Sequence, residues 1–206
     1  RIGRSHDDLE TLRRICSFIV NDLQRPHETD DELCFSYTPV DESLIYNASL
    51  LAAETLAAVG AIDGNADYLE LAKKAVTYVV RNQGGRGEWL YGPKGLHAWI
   101  DNFHTAFVLG SLKRIGDDVP EIGAEADAAI TRGFDFWIDN FFLEDGTPRY
   151  FNSKTYPADI HSAAAAIVTL ADLADRDERA LPLAEKVAGW TVLHLYSDGY
   201  FYYRKN

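Results

Sequence analysis

Three polar side chains interrupt otherwise apolar stretches at a common phase. Asn47, His104 and His161 stand 57 residues apart, twice over, each the second residue of a similar string: YNASLLAAETLAAVG, FHTAFVLGSLKRIG and IHSAAAAIVTLADLAD. Asp101 and Asn102 precede His104, and Asp159 precedes His161 by two positions. A helix N-terminus favours a neutral imidazole, which can act as base or donor. Asp101, His104 and His161 are therefore the expected catalytic groups. A carboxylate, two imidazoles and a tyrosine hydroxyl around one cavity suit either proton abstraction or acid/base work on a glycosidic bond. The bland reading of the same residues is N-terminal capping plus histidines hydrogen-bonded in a core.

The segments ahead of these strings carry aromatics: CFSYTP at 34–39, EWLYGP at 88–93, PRYFNS at 148–153 and GYFYYRKN at 199–206. Aromatic platforms suit the apolar faces of sugar rings, and Arg or Lys suits a carboxylate or phosphate. Asn47, Trp89, Tyr91, Tyr150 and Tyr203 are the expected substrate-binding residues, with Arg149 or Lys154 holding an anionic group. Arg86, Lys94, Arg204 and Lys205 add positive charge to the same segments. Trp89 and its counterparts could equally be wedges between neighbouring helices. The acidic run at 28–32 reads first as a solvated loop, with a metal site or a lip for a cation as the rarer alternative. His6, His27, His97 and His194 lack metal-ligand spacing, and two cysteines are too few for a zinc cage. No phosphate-cradling or nucleophile-elbow motif is present. Neither a metal nor a cofactor is expected.

What positions these residues is a tandem repeat. Arg14, Lys74, Arg132 and Lys186 each precede an aromatic by four positions: Phe18, Tyr78, Phe136 and Trp190. Five residues further on come Leu23, Gln83, Phe141 and Leu195, and a glycine then opens the loop in three copies: Gly87, Gly146 and Gly199. Each unit reads as two helices. The first helices, near 6–23, 66–82, 122–141 and 178–194, are amphipathic. The second, near 43–59, 102–115 and 159–174, have almost no polar face and are expected to be buried all round. Gly60 and Gly116 are expected C-terminal stops, and Asn65 and Asp67 expected starts. Half-exposed helices alternating with buried ones predict an all-α fold, an α/α toroid of helical hairpins with the second helices inside, in preference to an open solenoid. About three and a half hairpins are present, fewer than a closed ring needs.

The chain has 206 residues, 47% of them hydrophobic, with a formal net charge of −12. It reads as a single domain over 1–206. The charge argues against nucleic acid as a partner, and the apolar runs are too short for a membrane span. It begins at Arg1 and has no Met, which reads as a piece of a longer chain. The expected compartment is cytoplasmic, with the cysteines reduced. A truncated ring would expose inner-helix surface, so a homodimer is a further expectation.

The segment KAVTYVVRNQGGRGEW, with Lys74, Tyr78, Gln83, Gly87 and Trp89, resembles the QW repeat of squalene and hopene cyclases. In that family the motif ties helix ends to loops in an α/α toroid. The acidic DxDD motif of those enzymes is absent, ETDD at 28–31 being the nearest string, and so is the zinc set of protein prenyltransferases. Across nearly the whole chain, CFSYTP, YNASLL, WLYG, WIDNFHTAFVLGSL, YFN with YPADIHSAAAAIVTL, and GYFYYRK resemble a family labelled prenyltransferase-like or six-hairpin glycosidase-like. Its members tend to be encoded with glycosyltransferases for surface polysaccharides, and full-length members carry hairpins on both sides of this segment. The resemblance implies an incomplete toroid and supplies no catalytic residues. The expected activity is on an anionic polysaccharide or a lipid-linked sugar, by epimerisation, elimination or hydrolysis. The alternatives are a noncatalytic glycan-binding or scaffold module, and an isoprenoid cyclase or prenyltransferase-like enzyme.

Overall fold

The computed structural model describes residues 6–93 and 95–206. Lys94 and the side chain of His6 lie outside the described residues. Within them are seven α-helices: α1 (His6–Asn21), α2 (Tyr46–Asp63), α3 (Ala66–Arg81), α4 (Asn102–Asp118), α5 (Gly123–Phe141), α6 (Ile160–Asp172) and α7 (Ala180–Leu195). Short antiparallel pairs join β1 (His27–Glu28) to β2 (Leu33–Cys34), β3 (Ala158–Asp159) to β6 (Arg204–Lys205), and β4 (Tyr196–Ser197) to β5 (Tyr200–Phe201). No described helix is long and apolar enough to cross a membrane. Contacts gather the chain into two compact units: Arg1–Gln83, Gly92–His97 and Ser111–Ala129, and then Gly84–Tyr91, Ala98–Gly110 and Ile130–Asn206.

In the first unit, α2 buries Leu50, Ala53, Leu56, Ala57 and Val59, as its lack of a polar face predicts. Against it, α3 turns Ala72, Ala75, Val76 and Val79 inward. Asn65 caps α3, its side chain accepting the N–H groups of Asp67 and Tyr68. Gly60 and Gly116 do not end their helices. α2 runs on to Asp63, and Gly64 caps it in the left-handed conformation at φ 66°. Gly60 instead gives close approach to α3, where an added Cβ would stand 2.8 Å from Leu69 Cδ2.

The acidic run folds as the β1–β2 hairpin, and three of its four carboxylates are paired. Glu32 meets His27 Nε2 at 2.8 Å and Arg81 at 2.9 Å, Asp31 meets Arg81 at 2.7 Å, and Glu28 meets Arg25 at 3.1 Å. Among the described residues no group of His, Cys, Asp or Glu is arranged to hold a metal ion. Cys16 and Cys34 are buried free thiols, and burial pushes the Cys34 thiol up to about 12. A second polar cluster joins α2 to α4. Glu54 accepts from Ser111 Oγ at 2.8 Å and from Arg114 Nε at 2.6 Å. Burial, with Asp117 and Glu54 nearby, holds the Asp118 carboxyl above the usual range. A carboxyl raised in the folded state favours folding below its unfolded value, about 3.9, and loses that contribution as pH rises through the folded value. Asp118→Asn is therefore expected to melt higher than the parent at pH 7, with the gap shrinking towards pH 4 in thermal denaturation.

The repeat signature has a mechanical basis, visible in both units. Two of the three loop glycines give the backbone room to pass close to the next basic residue. In the second unit, a Cβ on Gly87 would stand 2.2 Å from the Arg132 carbonyl oxygen, and one on Gly146 would stand 2.6 Å from that of Lys186. Lys186 Nζ donates to the Glu144 carbonyl at 3.2 Å, and in the first unit Lys74 Nζ donates to that of Thr29 at 3.3 Å. Gln83 Nε2 likewise reaches the Ala129 carbonyl, at 2.9 Å. These bonds tie the loops to helices.

The core of the second unit centres on Trp137, Phe141 and Leu109, all 0% exposed. Thr169 Oγ1 on α6 donates to the Ala106 carbonyl on α4 at 3.2 Å. One expectation fails here. α6 is not buried all round: Val168 is 59% exposed, on the face it shares with exposed Ala164 and Ala171. Its composition is apolar on every side, but no described helix of its unit covers that stripe.

Candidate active site

Asp101 caps α4 and orients His104. One carboxylate oxygen accepts the His104 backbone N–H at 2.8 Å, and the other faces His104 Nδ1 at 2.6 Å. The Asp101 side chain is fully buried and that of His104 is 20% exposed. A carboxylate accepts only, so the bond assigns the ring proton to Nδ1 and leaves Nε2 free to accept or deliver one. Thr105 Oγ1 donates to the Asp101 carbonyl at 2.6 Å, which fixes the backbone of the dyad. Asn102 fixes the facing loop. Its N–H donates to the Tyr150 carbonyl and its Nδ2 to that of Arg149, each at 2.9 Å, while its Oδ1 accepts from buried Trp137 Nε1 at 2.7 Å.

Aromatic rings enclose the His104 imidazole. Tyr91 lies 4.3 Å away, Phe103 5.1 Å and Trp99 5.5 Å, centroid to centroid. Tyr91 and Trp99 stack at 4.6 Å, held by a Tyr91 N–H bond to the Trp99 carbonyl. Phe151 stands edge-on to Trp99 at 6.1 Å, with Lys154 Nζ 5.5 Å from the Phe151 ring. Beyond Phe103, the His161 ring lies 6.2 Å away and meets Tyr203 at 5.4 Å. Tyr203 is placed by the end of the chain: β6 pairs with β3, and the Ile160 N–H donates to the Tyr203 carbonyl. Burial, followed by the charges of Asp101 and Asp159, pushes the Tyr150 phenol up to about 12, so it remains a donor across the neutral range.

The two histidines are not equivalent. Asp159 caps α6 as Asp101 caps α4, accepting the Ser162 N–H at 3.0 Å. His104 is the third residue after its capping aspartate and His161 the second, so the spacing of 57 is one residue out of register with the caps. One residue turns a side chain by about 100° around a helix. His161 is accordingly 59% exposed, and its Nδ1 is 3.7 Å from Asp159, too far for a hydrogen bond. Ser162 takes the place equivalent to His104, and its buried hydroxyl has no hydrogen-bond partner.

Of the residues singled out in the sequence, the second unit gathers Asp101, His104, Tyr91, Tyr150, Lys154, His161 and Tyr203. Asn47 belongs to the first unit, where it is 7% exposed. One expected binding residue is corrected. Trp89 is 2% exposed and lies over Gly133, where a Cβ would stand 2.3 Å from its ring, so it is a core wedge without a free face. Arg149, also in this unit, donates from Nη1 to the Asn140 carbonyl at 3.3 Å, and its buried Nε has no hydrogen-bond partner. Trp99 and Phe103, ring partners of the histidines, are not among the residues singled out in the sequence. The available signal was their position, two residues before Asp101 and one before His104.

No protein-family profile and no curated protein matches the sequence. Solved structures do. The chain superposes on a cellobiose 2-epimerase from Bacillus thermoamylovorans with a TM-score of 0.77 at 10% identity, covering 99% of this chain and 59% of that one. An unsaturated glucuronyl hydrolase specific for heparin gives 0.75 at 13% identity, covering 97% and 59%. A GH76 α-mannanase from Bacteroides thetaiotaomicron gives 0.72 at 14% identity, covering 93% and 56%. The fold is thus an α/α toroid of helical hairpins, here incomplete, and the chain spans less than two thirds of the length of each of these neighbours.

Proposed function

We propose that the protein processes a carbohydrate by moving a proton on a sugar carbon, with His104 as the base. One observation carries this reading: buried Asp101 engages both the backbone N–H and the Nδ1 of His104, so the site presents Nε2. Hydrolysis by the usual route needs two carboxyl groups facing the glycosidic bond. The two aspartates beside the histidines, Asp101 and Asp159, both serve helix caps, and Asp101 also holds His104, so the groups these helix starts offer to a ligand are imidazoles, with the Tyr150 phenol beside them. His104 Nε2 takes the proton from a carbon next to a carbonyl, and the electron pair of the C–H bond moves onto the carbonyl oxygen. Tyr150 donates a hydrogen bond to that oxygen, and His161 returns a proton to carbon from another side to complete an epimerisation. Tyr91 and Trp99 supply the stacking surface, and Lys154 takes a negative substituent, which favours an anionic glycan or a lipid-linked sugar.

The fold neighbours support a carbohydrate substrate, and the sequence resemblance supports a place in surface polysaccharide synthesis. The isoprenoid alternative loses ground, because three of the four carboxylates of the acidic run, Glu28, Asp31 and Glu32, are engaged with Arg25, Arg81 and His27. A noncatalytic glycan-binding module draws support from Tyr200, Phe201, Tyr202 and Tyr203, each 47–61% exposed. Incubating the chain in deuterated water with neutral and uronate-bearing reducing disaccharides separates the readings. Deuterium at a sugar carbon is the expected result, and saturable binding without exchange leaves the module. Tyr150→Phe is expected to lower kcat by about 10²–10³-fold with little change in KM, as for loss of an oxyanion donor.

A further inference from the structure

The three second helices begin differently. α4 and α6 are capped by Asp101 and Asp159, each of which accepts the N–H of the third helical residue. α2 has Ile45 at that position and no side-chain cap. Ile45 is 2% exposed and lies close to Gly92, where a Cβ would stand 3.2 Å from its Cδ1, so the cap position is given to the core. The first amide of α2 to find an acceptor is Ser49, whose N–H donates to the Ile45 carbonyl at 3.0 Å. The N–H groups of Tyr46, Asn47 and Ala48 have no hydrogen-bond partner among the described residues. The positive end of an 18-residue helix is therefore uncapped.

Asn47 is an independent sign of a ligand. It is the second residue of α2 and is 7% exposed, and its Oδ1 is buried with no hydrogen-bond partner. Side chains lean toward the N-terminus of their helix, so the carboxamide lies over the same uncapped turn. Buried polar side-chain atoms in folded proteins nearly always have a partner. The site thus offers donors, the three amides, beside an acceptor, Asn47 Oδ1. A hydroxyl group matches both, its oxygen accepting from N–H and its hydrogen donating to Oδ1. An ionised carboxylate or phosphate oxygen satisfies the amides but turns its lone pairs toward Oδ1.

We infer that the N-terminal turn of α2 with Asn47 is a binding site for the hydroxyl groups of a neutral sugar unit. The inference rests on the carbohydrate reading for its ligand class and makes no use of His104. The test follows the backbone amide resonances of Tyr46, Asn47 and Ala48 in the full chain. The probes are the methyl glycosides of mannose and glucose, and inorganic phosphate. At least one glycoside is expected to move these resonances saturably, with phosphate leaving them in place. Asn47→Ala is expected to weaken that binding about tenfold, the loss of one hydrogen bond, and to leave the melting temperature unchanged or higher because no protein partner is lost. Saturable shifts with phosphate would make this an anion pocket and overturn the inference. Shifts with no probe, or a large fall in melting temperature for Asn47→Ala, would assign the turn to bound water or to a structural role and overturn it equally. The same titration on His104→Ala separates the two proposals: the glycoside shifts should persist there, and the outcome for turnover bears only on the base.

Discussion

His104→Ala is expected to cut proton exchange into the substrate by about 10²–10⁴-fold, the usual contribution of a positioned base, with the helical signal and melting temperature nearly unchanged. The reason for the second half is the division of labour at Asp101. One of its oxygens caps α4 through a backbone N–H, a bond that survives loss of the imidazole. The other faces Nδ1 and would be exposed to solvent through the space the ring leaves, so it is not stranded. Asp101→Ala behaves differently. It removes the cap, at about 1 kcal/mol, as well as the partner that sets the tautomer, so turnover and stability fall together. Deuterium exchange read by mass spectrometry, beside a melting curve for each variant, checks both. Equal turnover in His104→Ala and the parent would remove the base from the mechanism.

The loop glycines carry the largest expected effects on folding. Gly87 and Gly146 combine a positive φ, 96° and 88°, with backbone where a Cβ would go: the Arg132 carbonyl oxygen at 2.2 Å and that of Lys186 at 2.6 Å. Gly199 has a similar φ of 90° and nothing within 4 Å of the added carbon. Alanine at all three adds strain of about 1–3 kcal/mol for the left-handed backbone. At Gly87 and Gly146 the obstacle is main chain, which cannot rotate away, so a packing penalty of about 1–3 kcal/mol comes on top. Urea denaturation should order the variants with Gly199→Ala mildest and Gly87→Ala worst. A Gly87→Ala protein as stable as Gly199→Ala would mean the loop does not pass against α5 at Arg132.

These same positions account for what the sequence made legible. The basic residue, the aromatic four on and the loop glycine recur where neighbouring copies share a mechanical joint, as at Gly87 with Arg132 and Gly146 with Lys186, and such joints leave a period in the chain. The helical hairpins, the amphipathic first helices and the Asn65 cap were readable for that reason. Other features depend on which neighbour happens to arrive. Trp89 became a wedge because Gly133 offers room for an indole face, and nothing at Trp89 itself marks it as different from a sugar platform. Gly60 reads as a stop but serves as a point of close contact with Leu69. The histidine spacing misled more subtly. A period of 57 matches residue types, whereas helix caps set rotation, and the caps place Ser162 rather than His161 in the position of His104. Of the dyad, sequence supplied both members and their order, and the 2.6 Å contact between them needed the helix start to be fixed at Asn102.

The account depends most on which nitrogen of His104 carries the proton. Long-range ¹⁵N–¹H correlation spectra of the histidine rings, assigned through His104→Ala, report that directly. In the neutral ring the account requires a proton on Nδ1, in contact with Asp101, and a bare Nε2. The opposite tautomer, with Nε2 protonated while Asp101 remains intact, would contradict it.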